Sequence, residues 1–200
     1  MVLGDDHPDT IRASANLAAT YGYLGRYAEA ETLQLDVLKQ RTKLLGVDHP
    51  DTITASANLA VIYAELGRYV EEEVLELEVL EQRTKLLGAD HPDTIRASSH
   101  LAGTYSQLGK YDEVERMQND VLQRRMALLG DRHPDTLLAM WWLASTYVTM
   151  ERYSEALELT KKVHCGYVET LGENHPQSLK VAAFLESLTA EDSDDSDESE

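Results

Sequence analysis

The fold is decided by residues 3–30, LGDDHPDTIRASANLAATYGYLGRYAEA, because this pattern returns along the chain. Its His-Pro dipeptide stands at five places, each 42 residues after the one before: 7–8, 49–50, 91–92, 133–134 and 175–176. The Leu-Ala pair at 17–18 and the tyrosines Tyr21 and Tyr27 return at the same interval. A constant period of this length is typical of repeat proteins, in which each unit packs on its neighbours.

Each repeat predicts a pair of helices, A and B. Helix A begins at the His-Pro-Asp-Thr segment, because proline suits the first helical position and an acidic residue there favours the positive end of the helix dipole. Gly25 ends helix A, and helix B runs from about Tyr27 to Leu45. Helical spacing predicts that helix A buries Ile11, Leu17, Ala18 and Tyr21. The same spacing predicts that helix B buries Leu33, Val37, Leu38, Leu44 and Leu45.

The pairs are expected to stack, because a single helix pair cannot bury both of its apolar faces. The predicted fold class is therefore an all-α solenoid of stacked antiparallel helix pairs. The predicted domain is one array over residues 1–190, followed by an acidic disordered tail over 191–200. Four helix pairs and a capping helix make up this array: 8–46, 50–88, 92–130, 134–172 and 176–189.

Two glutamates break the pattern of the repeats. Glu72 stands where the other units have alanine or valine, so its side chain is expected to extend outward or to meet a local basic partner. Glu186 stands where the other units have an alanine that lets helix B pack closely on helix A. Because the capping helix has no helix B after it, Glu186 is expected to be exposed.

The composition excludes several classes of protein. The chain of 200 residues has 18 Lys and Arg against 36 Asp and Glu, so its formal charge is −18 at pH 7. Such a charge repels phosphate backbones and anionic lipids, which predicts that the chain binds neither nucleic acid nor membranes. The single cysteine, Cys165, excludes an intrachain disulfide and favours a reducing compartment. A cytoplasmic location is therefore predicted.

The sequence contains no visible framework for catalysis or metal binding. The histidines of the five His-Pro dipeptides lie in different repeats, and packed helices lie about 8–10 Å apart, whereas a metal ligand lies about 2.0–2.1 Å from its ion. These histidines are therefore expected to cap the A helices. No phosphate-binding glycine loop, nucleophile elbow or paired-carboxylate framework is visible. We predict no catalytic residue, no metal, no cofactor and no enzymatic activity.

The pattern LG-x-x-HPDT…NLA-x-x-Y-x-x-x-GRY-x-E-A, nearly complete in residues 3–30, resembles the tetratricopeptide repeat (TPR) in its 42-residue form. That form is familiar from kinesin light chains and from repeat regions of NOD-like receptors. The resemblance extends over residues 3–189. It implies a right-handed superhelix with the A helices on the concave side, and a protein-binding scaffold without catalysis.

The resemblance also implies that a ligand contacts one face of the A helices. The candidate binding residues on this face are Arg12, Asn16, Tyr23, Asn58, Glu65, Arg96, His100, Gln107, Trp141 and Trp142. The amides of Asn16 and Asn58 suit a ligand peptide bond, and they equally suit a hydrogen bond between neighbouring repeats. One expectation is that Trp142 packs on Phe184 of the capping helix, with at least one of the two tryptophans inside that contact. The other is that Trp141 and Trp142 form a functional apolar patch.

The predicted function is a protein-interaction scaffold that binds a peptide or a partner helix in its concave groove. Two alternatives stay open. In the first, the chain is the sensor or regulatory repeat region of a larger protein of the NOD-like receptor type. In the second, it is a self-associating structural module that forms a homodimer through the open ends of the solenoid. The predicted partner is a protein or a peptide.

Overall fold

The computed structural model describes Gly4 and residues 6–197 of the chain. These residues form nine α-helices joined by short turns. The helices are α1 (Pro8–Tyr23), α2 (Tyr27–Leu45), α3 (Pro50–Glu65), α4 (Tyr69–Leu87), α5 (Pro92–Gln107), α6 (Tyr111–Leu129), α7 (Pro134–Thr149), α8 (Tyr153–Leu171) and α9 (Pro176–Asp197). The predicted all-α fold of repeated helix pairs is confirmed. None of the described helices is both long enough and apolar enough to cross a membrane.

A histidine caps the start of every A helix and of α9. Its Nδ1 atom accepts a hydrogen bond from the backbone N–H two residues later, at 3.1–3.2 Å. The five histidines are His7, His49, His91, His133 and His175. Each bond satisfies one of the N–H groups that have no partner in the first turn of a helix. The capping role predicted for these histidines is confirmed.

We expect His49→Ala to lower the free energy of unfolding by about 1 kcal/mol, the usual effect of removing an N-cap acceptor. The matched variant His49→Asn keeps a side-chain acceptor for the N–H of Asp51 and is expected to retain most of the stability. Urea unfolding followed by circular dichroism measures both variants. Equal losses in the two variants would show that the imidazole ring, and not its Nδ1 acceptor, stabilises this turn.

The chain divides into two compact units, Met1–Gly109 and Lys110–Glu200. In the first unit, which contains α1 to α5, each helix packs mainly on the next one along the chain. In the second unit, which contains α6 to α9, α7 packs on α6, α8 on α7 and α9 on α8. This pattern is the one expected of a repeat protein, because each element contacts its sequence neighbours.

Two clusters of the same design form the core of the first unit. The first cluster joins Ile11, Val37 and Ala55, and the second joins their equivalents one repeat later, Ile53, Val79 and Ala97. Ala18, Ala30 and Ala60 are buried at the contacts between neighbouring helices. Because an alanine side chain projects by one carbon atom, these contacts bring the helix backbones close together.

The predicted burial of Leu17 is wrong. Its side chain is 44% exposed, whereas Leu59, the same residue one repeat later, is 2% exposed. Helix α3 packs on the preceding α2 and α5 packs on the preceding α4, and Leu101 on α5 is buried like Leu59. The first unit has no described helix before α1, so the corresponding side of α1 faces solvent.

The predicted apolar face of helix B is only partly correct. Val37 is buried and Leu33 and Leu38 are half-buried, but Leu44 and Leu45 are exposed. The buried residues of α2 are Ala30, Gln34 and Val37. Leu44 and Leu45, in the last turn of α2, are 46% and 45% exposed.

An arginine ties the helix pairs of each unit together. Arg68 forms ion pairs with Glu71 at 2.9 Å and with Glu31 of the preceding helix B at 2.6 Å. Its guanidinium lies 4.3 Å from the centre of the Tyr63 ring. Arg152 repeats the arrangement in the second unit. These contacts hold α2, α3 and α4 in fixed positions around the candidate site.

Helix α9 closes the described part of the second unit. Val181 and Leu188 are its buried apolar residues, and Glu186 is exposed, as predicted. The backbone of α9 continues to Asp197, past residue 189, where the sequence predicts its end. Side chains from residue 190 onward, and residues 198–200 altogether, lie outside the described part of the chain. The acidic tail predicted over 191–200 falls on those residues.

Candidate functional site

Eight of the ten candidate binding residues lie in the first unit, and the side chains of all eight are exposed. They are Arg12, Asn16, Tyr23, Asn58, Glu65, Arg96, His100 and Gln107. They are carried by α1, α3 and α5, the three A helices of that unit. The predicted ligand-contact face is therefore accessible in the first unit.

A cleft of about 480 Å³ lies between α1, α2 and α3. Three of the candidate residues, Tyr23, Asn58 and Glu65, line it. The other lining residues are Ala15, Ala18, Ala19 and Gly22 of α1, Tyr27 and Gln34 of α2, and Val61 and Ile62 of α3. The cleft thus joins candidate residues of two successive A helices with two side chains of the helix B between them.

The small residues of α1 explain why this cleft is open. Four of the five α1 residues that line it are alanine or glycine, so no side chain from α1 fills the space. A Cβ atom added to Gly22 would meet no atom within 4 Å. A segment of another chain is therefore able to approach the backbone of α1 closely, as small residues permit wherever two elements pack.

The polar groups of the cleft are held by hydrogen bonds. The buried side chain of Gln34 donates from Nε2 to the carbonyl oxygen of Ala55 at 2.9 Å. The carboxylate of Glu65 interacts with the Tyr27 hydroxyl and raises the pKa of Tyr27, because a neighbouring negative charge disfavours the phenolate. Glu65 itself is exposed. Its carboxylate is therefore positioned at the mouth of the cleft.

The amide of Asn58 remains accessible in this cleft. Among the described residues, neither Asn16 nor Asn58 makes a side-chain hydrogen bond to a neighbouring repeat. Both side chains are exposed on their A helices. Of the two interpretations of these asparagines, the structural one finds no support in the described residues, and a role toward a ligand stays a prediction.

The two arginines of the candidate face are already paired. Arg12 Nη2 lies 2.8 Å from Asp9 Oδ1, and Arg96 Nη2 lies 2.7 Å from Asp93 Oδ1. Each pair lies within the first turn of a single A helix. The positive charge that these arginines bring to the face is therefore balanced locally.

Helix α4 carries two buried carboxylates, Glu72 and Glu76. Oε1 of Glu72 accepts a hydrogen bond from the Thr104 hydroxyl at 2.9 Å, while Oε2 has no partner among the described residues. Oε1 of Glu76 lies 3.7 Å from Nδ1 of His100. The pKa of Glu72 is raised above its ordinary value, chiefly by burial. The bond from Thr104 lowers this pKa, the nearby charge of Glu76 raises it, and the imidazole of His100 lowers it.

The prediction that Glu72 extends outward is wrong, because the side chain is 8% exposed. Its hydrogen-bond partner is the hydroxyl of Thr104, and the basic group near its carboxylate is the imidazole of His100. The equivalent of Thr104 one repeat earlier is Ile62. The pairing of a glutamate on α4 with a threonine on α5 is the sequence signal that locates this contact.

In the second unit, the tryptophans Trp141 and Trp142 of α7 have different environments. Trp141 packs on Phe184 with a ring-centroid distance of 4.9 Å, and Nζ of Lys180 lies 5.8 Å from the Trp141 ring. Trp142 is 56% exposed. The expectation that Trp142 packs on Phe184 is therefore wrong, because successive helical residues point about 100° apart and Trp141 is the one turned toward α9.

Metal chemistry has no visible site in the residues that the structure describes. They contain no group of three or more His, Cys, Asp or Glu side chains placed to hold a metal ion. The buried carboxylates of α4 and the nearby imidazole of His100 are thus a polar cluster within the packing of α4 and α5.

Comparison of the fold with solved structures identifies proteins with similar helical repeats. A kinesin light chain-like protein of Podosopora anserina with nearly identical TPR-like repeats is 26% identical and superposes with a TM-score of 0.82, covering 94% of this chain and 89% of that one. BtubC (BKLC) from P. vanneervenii is 22% identical and shares the fold, with a TM-score of 0.75 over 85% of this chain and 68% of that one. No curated protein sequence matches the chain significantly.

The family follows from a direct match to the sequence. The model of the tetratricopeptide repeat matches residues 13–75, 77–127 and 100–164, which together cover more than half of the chain. These segments contain the Leu-Ala pairs and the tyrosines that establish the 42-residue period. The chain therefore belongs to the tetratricopeptide repeat family.

Proposed function

We propose that the first unit binds a peptide or a partner helix in the cleft between α1, α2 and α3. Tetratricopeptide repeats generally serve as protein-interaction scaffolds. The observation that carries the proposal is the coincidence of an open cleft with Tyr23, Asn58 and Glu65, which the sequence predicts as ligand contacts. The bound segment lies along the small residues of α1 and faces the side chains of α3.

The chemistry of the cleft suits a polypeptide. The Asn58 amide offers both a donor and an acceptor, which is what a peptide bond requires. Tyr23 is 93% exposed at the edge of the cleft, and exposed aromatic residues are enriched among the side chains that dominate binding energy. Ala15, Ala19 and Gly22 leave room for a ligand side chain between these polar groups.

The proposal includes a non-enzymatic role in the cytoplasm, with no binding of nucleic acid or membranes. The formal charge of −18 supports it, since phosphate groups and anionic lipids are repelled. The single cysteine is also consistent with a reducing compartment. The partner is accordingly a protein, and the scaffold contributes binding without chemistry of its own.

Blocking the cleft tests the proposal. We expect Ala19→Gln to lower the recovery of a bound partner at least about tenfold, the equivalent of roughly 1.4 kcal/mol, because the longer side chain fills the space next to α3. Ala13→Gln is the matched control, since Ala13 is exposed on the same helix outside the cleft. Affinity capture from the native host with quantitative mass spectrometry compares both variants with the wild type. Identical sets of captured proteins would contradict the proposal.

Self-association is the second candidate function. The exposed Leu17 favours it, because its equivalents Leu59 and Leu101 are buried by a preceding helix pair. A second copy of the chain would cover that side of α1 with one of its own helices. Light scattering distinguishes the two candidates, since a single monomer mass at all concentrations contradicts self-association and leaves cleft binding unaffected. The alternative that the chain is the sensor or regulatory region of a larger receptor is compatible with both cleft binding and self-association.

A further inference from the structure

The mouth of the cleft carries negative charge without a matching cation. The carboxylate of Glu65 is exposed there, where it interacts with the Tyr27 hydroxyl. No Lys or Arg side chain of the described residues pairs with Glu65, whereas Arg12 on the same face is paired with Asp9 at 2.8 Å. The charge that a ligand meets at this position is therefore that of a carboxylate.

In the next repeat, a glutamate stands at the position that is equivalent to Gln34. Glu76 stands one repeat after Gln34, the α2 side chain that lines the cleft, and it is buried with the His100 imidazole 3.7 Å away. One turn earlier on the same helix, Oε2 of the buried Glu72 has no hydrogen-bond partner among the described residues. Carboxylates that burial separates from water keep a strong field, since little solvent screens them. Glu72 and Glu76 lie within the packing of α4 and α5 and do not line the cleft, so among the lining residues Glu65 carries the charge that a ligand meets.

We infer, on the basis of the proposed function, that the ligand of this cleft is a basic peptide segment. A Lys or Arg side chain pairs with Glu65 at the mouth, and a neighbouring apolar side chain packs on Ala15, Ala19 and Gly22. The aliphatic stem of a lysine or arginine packs on apolar surface while its charged end stays in water, which matches a cleft of small residues with a carboxylate at its edge. An acidic peptide is disfavoured by repulsion from the same carboxylate.

The volume of the cleft is consistent with a short segment. A space of about 480 Å³ lies within the usual range for binding pockets, about 300–1,000 Å³. Such a space holds a few side chains, not a folded domain. The inference therefore concerns the local sequence of the ligand, which combines a basic residue with an apolar neighbour.

Three synthetic peptides test the charge. The probes are the acetylated and amidated peptide Gly-Leu-Lys-Leu-Lys-Gly and its counterparts with Gln or Glu in place of both Lys. Each is titrated into the full chain, and the backbone N–H chemical shifts report both the affinity and the binding position. We expect the lysine peptide to shift the resonances of the cleft residues and to bind about two- to fivefold more tightly than the glutamine peptide. The glutamate peptide is expected to bind most weakly.

Variants connect this preference to one carboxylate. Glu65→Gln keeps a polar side chain of the same length beside the Tyr27 hydroxyl and removes the charge, so we expect it to cancel the preference for the lysine peptide. The glutamine peptide should bind this variant as it binds the wild type. Glu81→Gln is the matched control, because Glu81 is exposed on α4 and does not line the cleft. Higher salt is expected to reduce the preference in the wild type as well.

The outcomes separate the inference from the proposed function. Equal binding of the lysine and glutamine peptides in the cleft would overturn the basic ligand and leave cleft binding supported. Failure of the lysine peptide to shift any cleft resonance would also overturn the basic ligand. In that case the comparison of Ala19→Gln with Ala13→Gln decides independently on the proposed function.

Discussion

Leu59→Ala is expected to lower the free energy of unfolding by about 2–5 kcal/mol, whereas Leu17→Ala is expected to lower it by about 1 kcal/mol. The two leucines occupy the same position in successive repeats, inside the same Asn-Leu-Ala sequence. Leu59 is 2% exposed and Leu17 is 44% exposed. Truncation of Leu59 therefore removes buried contacts and leaves a cavity, while truncation of Leu17 removes a side chain that is half in water.

Urea unfolding of both variants and the wild type measures this difference. Each of the two variants serves as the control for the other, because the substitution, the position in the helix and the adjacent Asn and Ala are the same. Equal losses in the two variants would contradict the exposed environment of Leu17. Such a result would show that something covers this side of α1 in solution, which is also the outcome that self-association predicts.

The helix starts were predictable because their signals are local. A histidine at the N-cap and a proline at the first helical position act within one turn, so each His-Pro dipeptide predicts its helix without knowledge of its neighbours. The same holds for the positive φ of the closing residue, such as 87° at Gly46. Periodicity then predicts the helix pairs, because identical local signals return at a constant interval.

Burial was less predictable, because it depends on which neighbour is present. Leu17 and Leu59 have the same sequence context and different exposure. The two tryptophans Trp141 and Trp142 are adjacent and equally suited to pack on the capping helix, and only the rotation of α7 selects Trp141. Glu72 is buried because Thr104 on the next helix donates to it, a contact over 32 residues of sequence.

The candidate site was predictable in part. The positions of helix A at which the family is expected to contact ligands include Tyr23, Asn58 and Glu65, and all three residues line the cleft. The two helix B residues, Tyr27 and Gln34, were missed because the family pattern assigns ligand contacts to helix A alone. The run of small residues on α1 was the available signal, since it leaves a space that the side chains of α2 line between α1 and α3.

Glu72→Val is expected to raise the free energy of unfolding by about 1–3 kcal/mol at pH 7, the range for relieving a buried polar group that lacks a partner. Oε2 of Glu72 is such a group. Valine suits the position, because Val114 stands at the equivalent place one repeat later and is fully buried. The Thr104 hydroxyl keeps a partner after the substitution, since it also lies 3.3 Å from the carbonyl oxygen of His100.

The gain from Glu72→Val is expected to depend on pH. Burial raises the pKa of Glu72 in the folded chain above its ordinary value of 4.5, so the wild type suffers no charge penalty below that pH and loses stability as the pH rises through the folded pKa. The advantage of the variant is therefore full at neutral pH and shrinks toward about pH 4. Carboxylates that do not interact with Glu72 titrate alike in both proteins and cancel in the comparison, whereas the neighbouring Glu76 and His100 interact with its charge. Glu72→Gln keeps an acceptor for Thr104 and removes the charge. Its stability relative to the wild type should therefore change with pH in the same way as that of Glu72→Val. Urea unfolding at both pH values measures the three proteins, and a gain that is the same at pH 4 and pH 7 would show that the charge of Glu72 does not limit stability.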